Sequence, residues 1–441
     1  MARKLNWNTV SLICLVAALL SVPPAPMAWA KASSGSGASM TGVSKAGAHR
    51  AGASKAFASK AVAKTAVARS HSAAPRLRRA SIAASGTRVA YRGRTRGGAR
   101  TVLAVRRTRR PSYERFTASS FTDNLTLGDV TAGEDPVVRE AAVEALGNMN
   151  GTALAIDPSS GRILAMVNQK LALSSGAEPC STIKLAVALA ALDEGLITRD
   201  TPVNLGGHYS MNLTTALAKS INPYFETLGR MLGFERVKHY ANQFGLGELA
   251  GYNIEGEQLG VYPDTELPAA QGGVGRMCSF GESISMTPLQ LGALVSAIAN
   301  GGTLYYLQHP QTADEVATFE PKVKRLLDIA PLIPEMRDGM VGAVDYGTAR
   351  SLRANFHEFP VLGKTGTCSD NGTRYGWFAS YAETPAGRIV TVIFLEGGRP
   401  TFGPKAAELT GAFYRGLWDR NYFAPKTSQM AWTGETVRTN Q

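Results

Sequence analysis

Not one acidic residue precedes Glu114 in this 441-residue chain, whereas 21 of its 47 Lys and Arg residues do. From Glu114 onward, 26 basic residues face 34 acidic ones, a net charge of −8, so the overall +13 belongs entirely to the N-terminal quarter. Residues 31–112 are mainly Ala, Ser, Gly, Lys and Arg, with almost no large apolar side chain. Such a segment cannot bury enough surface to offset the entropy lost on ordering, and it is expected to be a disordered basic linker. A folded core must therefore come from residues 113–425, about 300 residues, which is large but workable for one catalytic unit. Residues 426–441 read as a flexible tail, and no repeat of solenoid length stands out.

The first thirty residues carry a separate message. Met1-Ala-Arg-Lys4 is a positive start, Val10–Val22 is an apolar run, and Ala28-Trp-Ala30 offers small residues for cleavage. Together they read as a secretory signal peptide over 1–30. The run is short for a membrane span, which needs about 20 residues, so cleavage is favoured; an uncleaved run would anchor the chain instead. Either way the chain is expected across the cytoplasmic membrane, in the periplasmic or cell-wall space. There the basic arm has no nucleic acid to meet, although in a cytosolic protein it would suggest one. Its available partners are anionic membrane lipids or anionic wall polymers, unless it is a soluble spacer. Processing leaves Cys180, Cys278 and Cys368, enough for one bridge at most. A bridge between Cys180 and Cys368, which both adjoin motifs described next, and three reduced buried thiols are both compatible with the sequence.

Scanning every lysine for a serine three positions earlier gives one match, Ser181 with Lys184, in Glu178-Pro-Cys-Ser-Thr-Ile-Lys184. Thr182–Leu192 is rich in Ala and Leu without Gly or Pro, and Pro179 marks a stop just before it, so a helix is expected to start at the serine. Residues i and i+3 share a helix face. Lys184 is therefore held beside a hydroxyl that is a poor nucleophile until a base removes its proton. Desolvation and a nearby positive charge can keep such a lysine neutral. Alone, this pattern is more often a cap on a buried helix. A second motif changes that reading.

The only K-T-G, Lys364-Thr365-Gly366, is followed by the apolar runs Tyr375–Tyr381 and Ile389–Leu395, separated by a Glu-Thr-Pro-Ala-Gly-Arg turn. These predict three consecutive strands with K-T-G on the first. Lys364 supplies a cation for a substrate carboxylate, Thr365 a hydrogen bond to it, and Gly366 room for close backbone approach. The backbone N–H groups of Thr367 and Ser181 are candidates for an oxyanion hole. The combination is an acyl-transfer site.

At this point the chain resembles the penicillin-binding protein transpeptidases, relatives of the serine β-lactamases in the D,D-peptidase superfamily. The resemblance spans roughly residues 135–418. It includes Gly151–Val167 as the opening hairpin, Ser285-Met-Thr-Pro-Leu-Gln-Leu291 as a helix start, and Met340 through Gly347-Thr-Ala349 before K-T-G. The family's S-x-N motif has three matches here: Ser210/Asn212, Ser220/Asn222 and Ser369/Asn371. Asn212 could cap a helix, and Ser369-Asp-Asn371 reads as a turn. The flanks of Ser220 and Asn222 are similar to the family's A-L-x-x-S-x-N-x-x-F pattern and single out that pair. The resemblance implies that Ser220 relays a proton between Lys184 and the leaving amine, and that Asn222 holds a substrate carbonyl. Two departures stand out. Cys180 replaces the usual glycine before the nucleophile, and the stretch Gln169–Pro179 is much shorter than usual.

Helix, hairpin, helical middle, three strands and a final helix (Ala406–Trp418) predict an α/β (α+β) fold. Its centre is an antiparallel sheet of about five strands, flanked by helices, with a mainly helical subdomain in the penicillin-binding/β-lactamase-like manner. The implied function is a D,D-transpeptidase that cross-links peptidoglycan stem peptides through an acyl-enzyme on Ser181, without cofactor or metal, and that β-lactams inhibit covalently. The enzymatic alternatives are a D,D-carboxypeptidase, which shares every motif, and a β-lactamase-like hydrolase. A penicillin sensor or scaffold without turnover is the non-enzymatic alternative. The chain lacks an E-x-x-L-N or S-x-V segment, which disfavours a dedicated β-lactamase. A glycosyltransferase domain is not expected within this length, so a separate glycosyltransferase is a candidate partner.

Overall fold

The computed structural model describes residues 116–424. The expectations for the signal peptide, the basic linker and the tail from 426 lie outside the described residues. Helix α1 (Pro136–Leu146) opens with the Asp135 carboxylate accepting the Val137 and Val138 amides, and Pro136 sits where an N–H would have no partner. Strands β1 (Gly151–Asp157) and β2 (Arg162–Val167) then form the opening hairpin.

The helical middle begins with a 3-10 turn, Cys180–Ile183, that runs directly into α2 (Lys184–Asp193). Helices α3 (Leu213–Lys219) and α4 (Asn222–Leu232) are separated by Ser220 and Ile221 alone. Then follow α5 (Gly273–Phe280), α6 (Pro288–Asn300) and α7 (Ile333–Asp345). Thr287 and Gln290 close a capping box at the start of α6. The chain returns to the sheet as β3 (Val361–Asp370), β4 (Thr373–Thr384) and β5 (Gly387–Gly397), and ends in α8 (Gly403–Asp419).

The strands form one antiparallel sheet in the order β2-β1-β5-β4-β3. It closes the two ends of the domain on each other, with Gly151 opposite Leu395 and Ile156 opposite Val390. Side chains alternate across a strand, and here both faces are buried. Ala153 and Ala155 of β1, Phe378 of β4, and Ile393 and Leu395 of β5 meet α1 and α8 on one face. Leu154, Ile156, Trp377, Val392 and Phe394 meet α6 and the helical middle on the other. This is the expected sheet with helices on both faces. Among the described residues no helix is long and apolar enough to cross a membrane.

Candidate active site

Lys184 begins α2, one turn after Ser181, and its Nζ lies 2.5 Å from Ser181 Oγ. The same Nζ donates to Asn222 Oδ1 (2.7 Å) and to the Ser279 carbonyl at the end of α5 (2.7 Å), and is 3.4 Å from Ser220 Oγ. On the sheet side, Lys364 Nζ donates to Ser220 Oγ (2.8 Å) and to the Thr365 carbonyl (3.0 Å). Ser220 therefore bridges two lysines carried by different layers. It ends α3 in a left-handed conformation, φ +56°, and Asn222 starts α4 two residues later. A short break between two helices thus places both polar side chains in one site.

Both lysines are fully buried. Burial, with the Phe225 and Phe280 rings 5.5 and 5.9 Å from Nζ, holds the pKa of Lys184 well below the ordinary lysine range; repulsion from Lys364 adds to this, and Glu226 opposes it. Burial also pushes Lys364 down to about 7. The expected cation for a substrate carboxylate thus sits near its titration point, held against a serine hydroxyl. A carboxylate bound beside it would favour the charged form.

The turn before Ser181 rests directly on β3 and β4. A side chain at Gly366 would put its Cβ 2.8 Å from the Pro179 carbonyl oxygen and 3.2 Å from Thr182 Cγ2, so the strand can only approach this closely as glycine. Trp377 Nε1 donates to the Glu178 carbonyl (3.0 Å). A disulfide joins Cys180 to Cys368, with the Cα atoms 5.5 Å apart, and Cys278 is free and buried. Of the two cysteine states compatible with the sequence, the bridged one is present.

Thr365 and Thr367 also occupy defined places. The Thr365 hydroxyl shares a hydrogen bond with Thr348 Oγ1 (2.6 Å), and Thr367 Oγ1 accepts the Gly403 amide at the start of α8 (2.8 Å). Thr348 and the Ser279 carbonyl were not assigned roles from sequence. The first lies in the Gly347-Thr-Ala349 segment that carried part of the resemblance; the second is backbone and leaves no side-chain signal. The other two S-x-N matches lie elsewhere. Asn212 caps α3 by accepting the Thr215 amide (3.1 Å), and Asn371 sits in the β3–β4 turn at φ +47°.

The short Gln169–Pro179 stretch is pinned by a two-way backbone pairing of Ala177 with Met286, ahead of α6. At its end Glu178 is half-buried; burial first, then Asp370 and Glu282, push its pKa up to about 7. A cavity of about 650 Å³ lined by Asp157, Arg162, Tyr305, Arg388 and Tyr422 lies at the opposite end of the sheet and touches none of these groups. Among the described residues no group of three or more His, Cys, Asp or Glu side chains is placed to hold a metal ion.

The chain is also similar to known proteins. Stage V sporulation protein D of Bacillus subtilis is 30% identical over 258 residues, 49% of this chain and 39% of that protein. Peptidoglycan D,D-transpeptidase MrdA of Acinetobacter baumannii is 24% identical over 390 residues, 68% of this chain and 56% of that protein. The chain thus spans about half the length of the curated relatives it matches. The solved transpeptidase domain of Burkholderia pseudomallei penicillin-binding protein 3 shares the fold with a TM-score of 0.56 at 21% identity, covering 67% of this chain and 98% of that one. The family model of the penicillin binding protein transpeptidase domain matches residues 151–415, more than half of the chain. This chain belongs to the penicillin-binding protein transpeptidase family.

Proposed function

We propose that this chain is a peptidoglycan D,D-transpeptidase whose nucleophile is Ser181 and whose catalytic unit is residues 113–425. The observation that carries this is the continuous contact from Ser181 Oγ through Lys184 Nζ and Ser220 Oγ to Lys364 Nζ in a buried site. A lysine depressed by burial is neutral often enough to accept the serine proton. Ser181 Oγ then attacks the carbonyl between the two terminal D-Ala residues of a stem peptide. The developing oxyanion is received by the Ser181 and Thr367 amides. Lys184 passes its proton through Ser220 to the departing amine, and D-Ala leaves. Lys364 and Thr365 receive the terminal carboxylate. Asn222 spends its Oδ1 on Lys184 and keeps its Nδ2 for a substrate carbonyl. The acyl group passes from Ser181 to an amine of a neighbouring stem and forms the cross-link. β-Lactams present a strained amide beside a carboxylate and acylate the same serine.

Relatives named as peptidoglycan D,D-transpeptidases support placing this chemistry outside the cytoplasm. The positive start, apolar run and small residues at 28–30 support a signal peptide over 1–30 that would deliver it there. A separate glycosyltransferase would supply the glycan strands, and the basic arm would hold the enzyme to anionic membrane or wall polymers. Incubating the full chain with a stem pentapeptide, with and without an acceptor stem, and reading products by mass spectrometry tests the proposal. A cross-linked product one D-Ala lighter than its two parents is expected. Hydrolysis alone in the presence of acceptor would make the chain a carboxypeptidase, and no loss of D-Ala would contradict the reading.

A further inference from the structure

The disulfide occupies the two positions that flank the candidate oxyanion hole. Cys180 immediately precedes Ser181 and Cys368 immediately follows Thr367, so a bond across 188 residues ties together the neighbours of both amides. We propose that the Cys180–Cys368 bond is a positioning element of the acylation step. It holds the Ser181 and Thr367 amides at the spacing the acyl oxyanion requires, so that acylation is fast only in the oxidised protein. This rests on the reading of Ser181 as nucleophile.

Three features carry the argument. The first is where the other contacts act. Trp377 holds the Glu178 carbonyl, and Gly366 receives the Pro179 carbonyl and Thr182. These pack the turn against the sheet on either side of residue 180, and the disulfide adds a covalent tie from residue 180 itself to β3. The second is the backbone of Cys180, φ +51°, a left-handed conformation uncommon for a residue with a side chain. Such conformations persist where surrounding structure determines them, and they cluster at functional sites. A covalent tie to a strand of the central sheet supplies that determination. The third is the sensitivity of the chemistry. A single preorganised donor at an oxyanion is worth about 10²–10³ in rate, and misplacement by about 1 Å can cost 10²-fold. Both candidate donors sit one residue from the tie. Cys180 is fully buried and Cys368 partly so, which leaves the sulfur on β3 as the one a reductant would reach first.

The test compares the full chain in three forms: oxidised, reduced with a water-soluble phosphine, and Cys180→Gly/Cys368→Ser. Reduction converts the bridge to two thiols while the phosphine takes up the oxygen of water, and a rise of two in the free-thiol count verifies it. Glycine at 180 accepts the left-handed backbone, so the double variant removes the tie without adding strain there. Acylation by a fluorescent penicillin is followed at increasing concentration, well below the melting temperature, to separate initial binding from the acylation step. The reduced and double-variant proteins are expected to acylate at least about tenfold slower with initial binding unchanged, and reoxidation of the reduced protein should restore the rate. Thermal unfolding alone would not split the two constants in this way. Equal acylation constants in all three forms would overturn the proposal while leaving Ser181 as nucleophile. A change confined to initial binding would also overturn it, because the bond would then shape the rim. Absence of acylation even in the oxidised protein would overturn both readings.

Discussion

Lys184 and Lys364 are both buried with no carboxylate in contact among the described residues, and the site's chemistry follows from that. A buried ammonium that lacks a counter-charge loses its proton more readily than a solvated one. For Lys184 this yields a base, and for Lys364 it yields a group poised near neutrality, pushed to about 7. The consequence for stability has a definite sign. Above about pH 7 the unfolded chain, with its lysine near the ordinary value, still holds the proton that folded Lys364 has released. Stability from this group therefore rises with pH from about 7 up to the ordinary lysine range. The consequence for activity runs the other way. Free enzyme must present Lys364 charged to a substrate carboxylate, so the second-order rate constant for acylation is expected to fall above about pH 7. Lys364→Arg keeps its charge across this range, and although its planar fork fits the site less well, its alkaline limb should move to higher pH. An unchanged limb in that variant would assign the titration to another group.

At the scale of elements, local signals were legible and long-range ones were not. The i, i+3 spacing of Ser181 and Lys184 after Pro179 announced a helix start, although the first turn, Cys180–Ile183, is 3-10 rather than α. The alternating apolar runs on either side of Glu383-Thr-Pro-Ala-Gly-Arg388 announced β4 and β5, and Lys364 lies on the strand before them. Asn212 as a helix cap and Asn371 as a turn residue were also readable, because each acts on its own neighbours. The Ser279 carbonyl on Lys184, 95 residues away, left no trace in the sequence. Cys368 was the readable partner for Cys180, because both adjoin a catalytic motif, but spacing alone left open whether the two are bridged or stay reduced. One antiparallel sheet made of strands from both chain ends was expected, but that β1 pairs with β5, and in which register, depends on which side chains the two cores accept.

At the scale of the whole molecule, the catalytic region and the arm carry opposite charge, with −8 from Glu114 onward and 21 basic residues before it. If the arm is a tether to anionic polymers, deleting 31–112 leaves turnover of a soluble peptide nearly unchanged but weakens retention on isolated cell walls. That retention in the full chain should fall steeply with salt, because exposed charges are screened over roughly 8–10 Å at physiological ionic strength. Equal retention of the truncated and full chains at low salt would reduce the arm to a spacer. Everything proposed for the catalytic region depends on one covalent bond, and the mass of the intact protein reads it directly. After incubation with benzylpenicillin, the full chain should gain the mass of one penicillin, and Ser181→Ala should gain none. Acylation of the Ser181→Ala protein, or an unmodified wild type, would contradict the account.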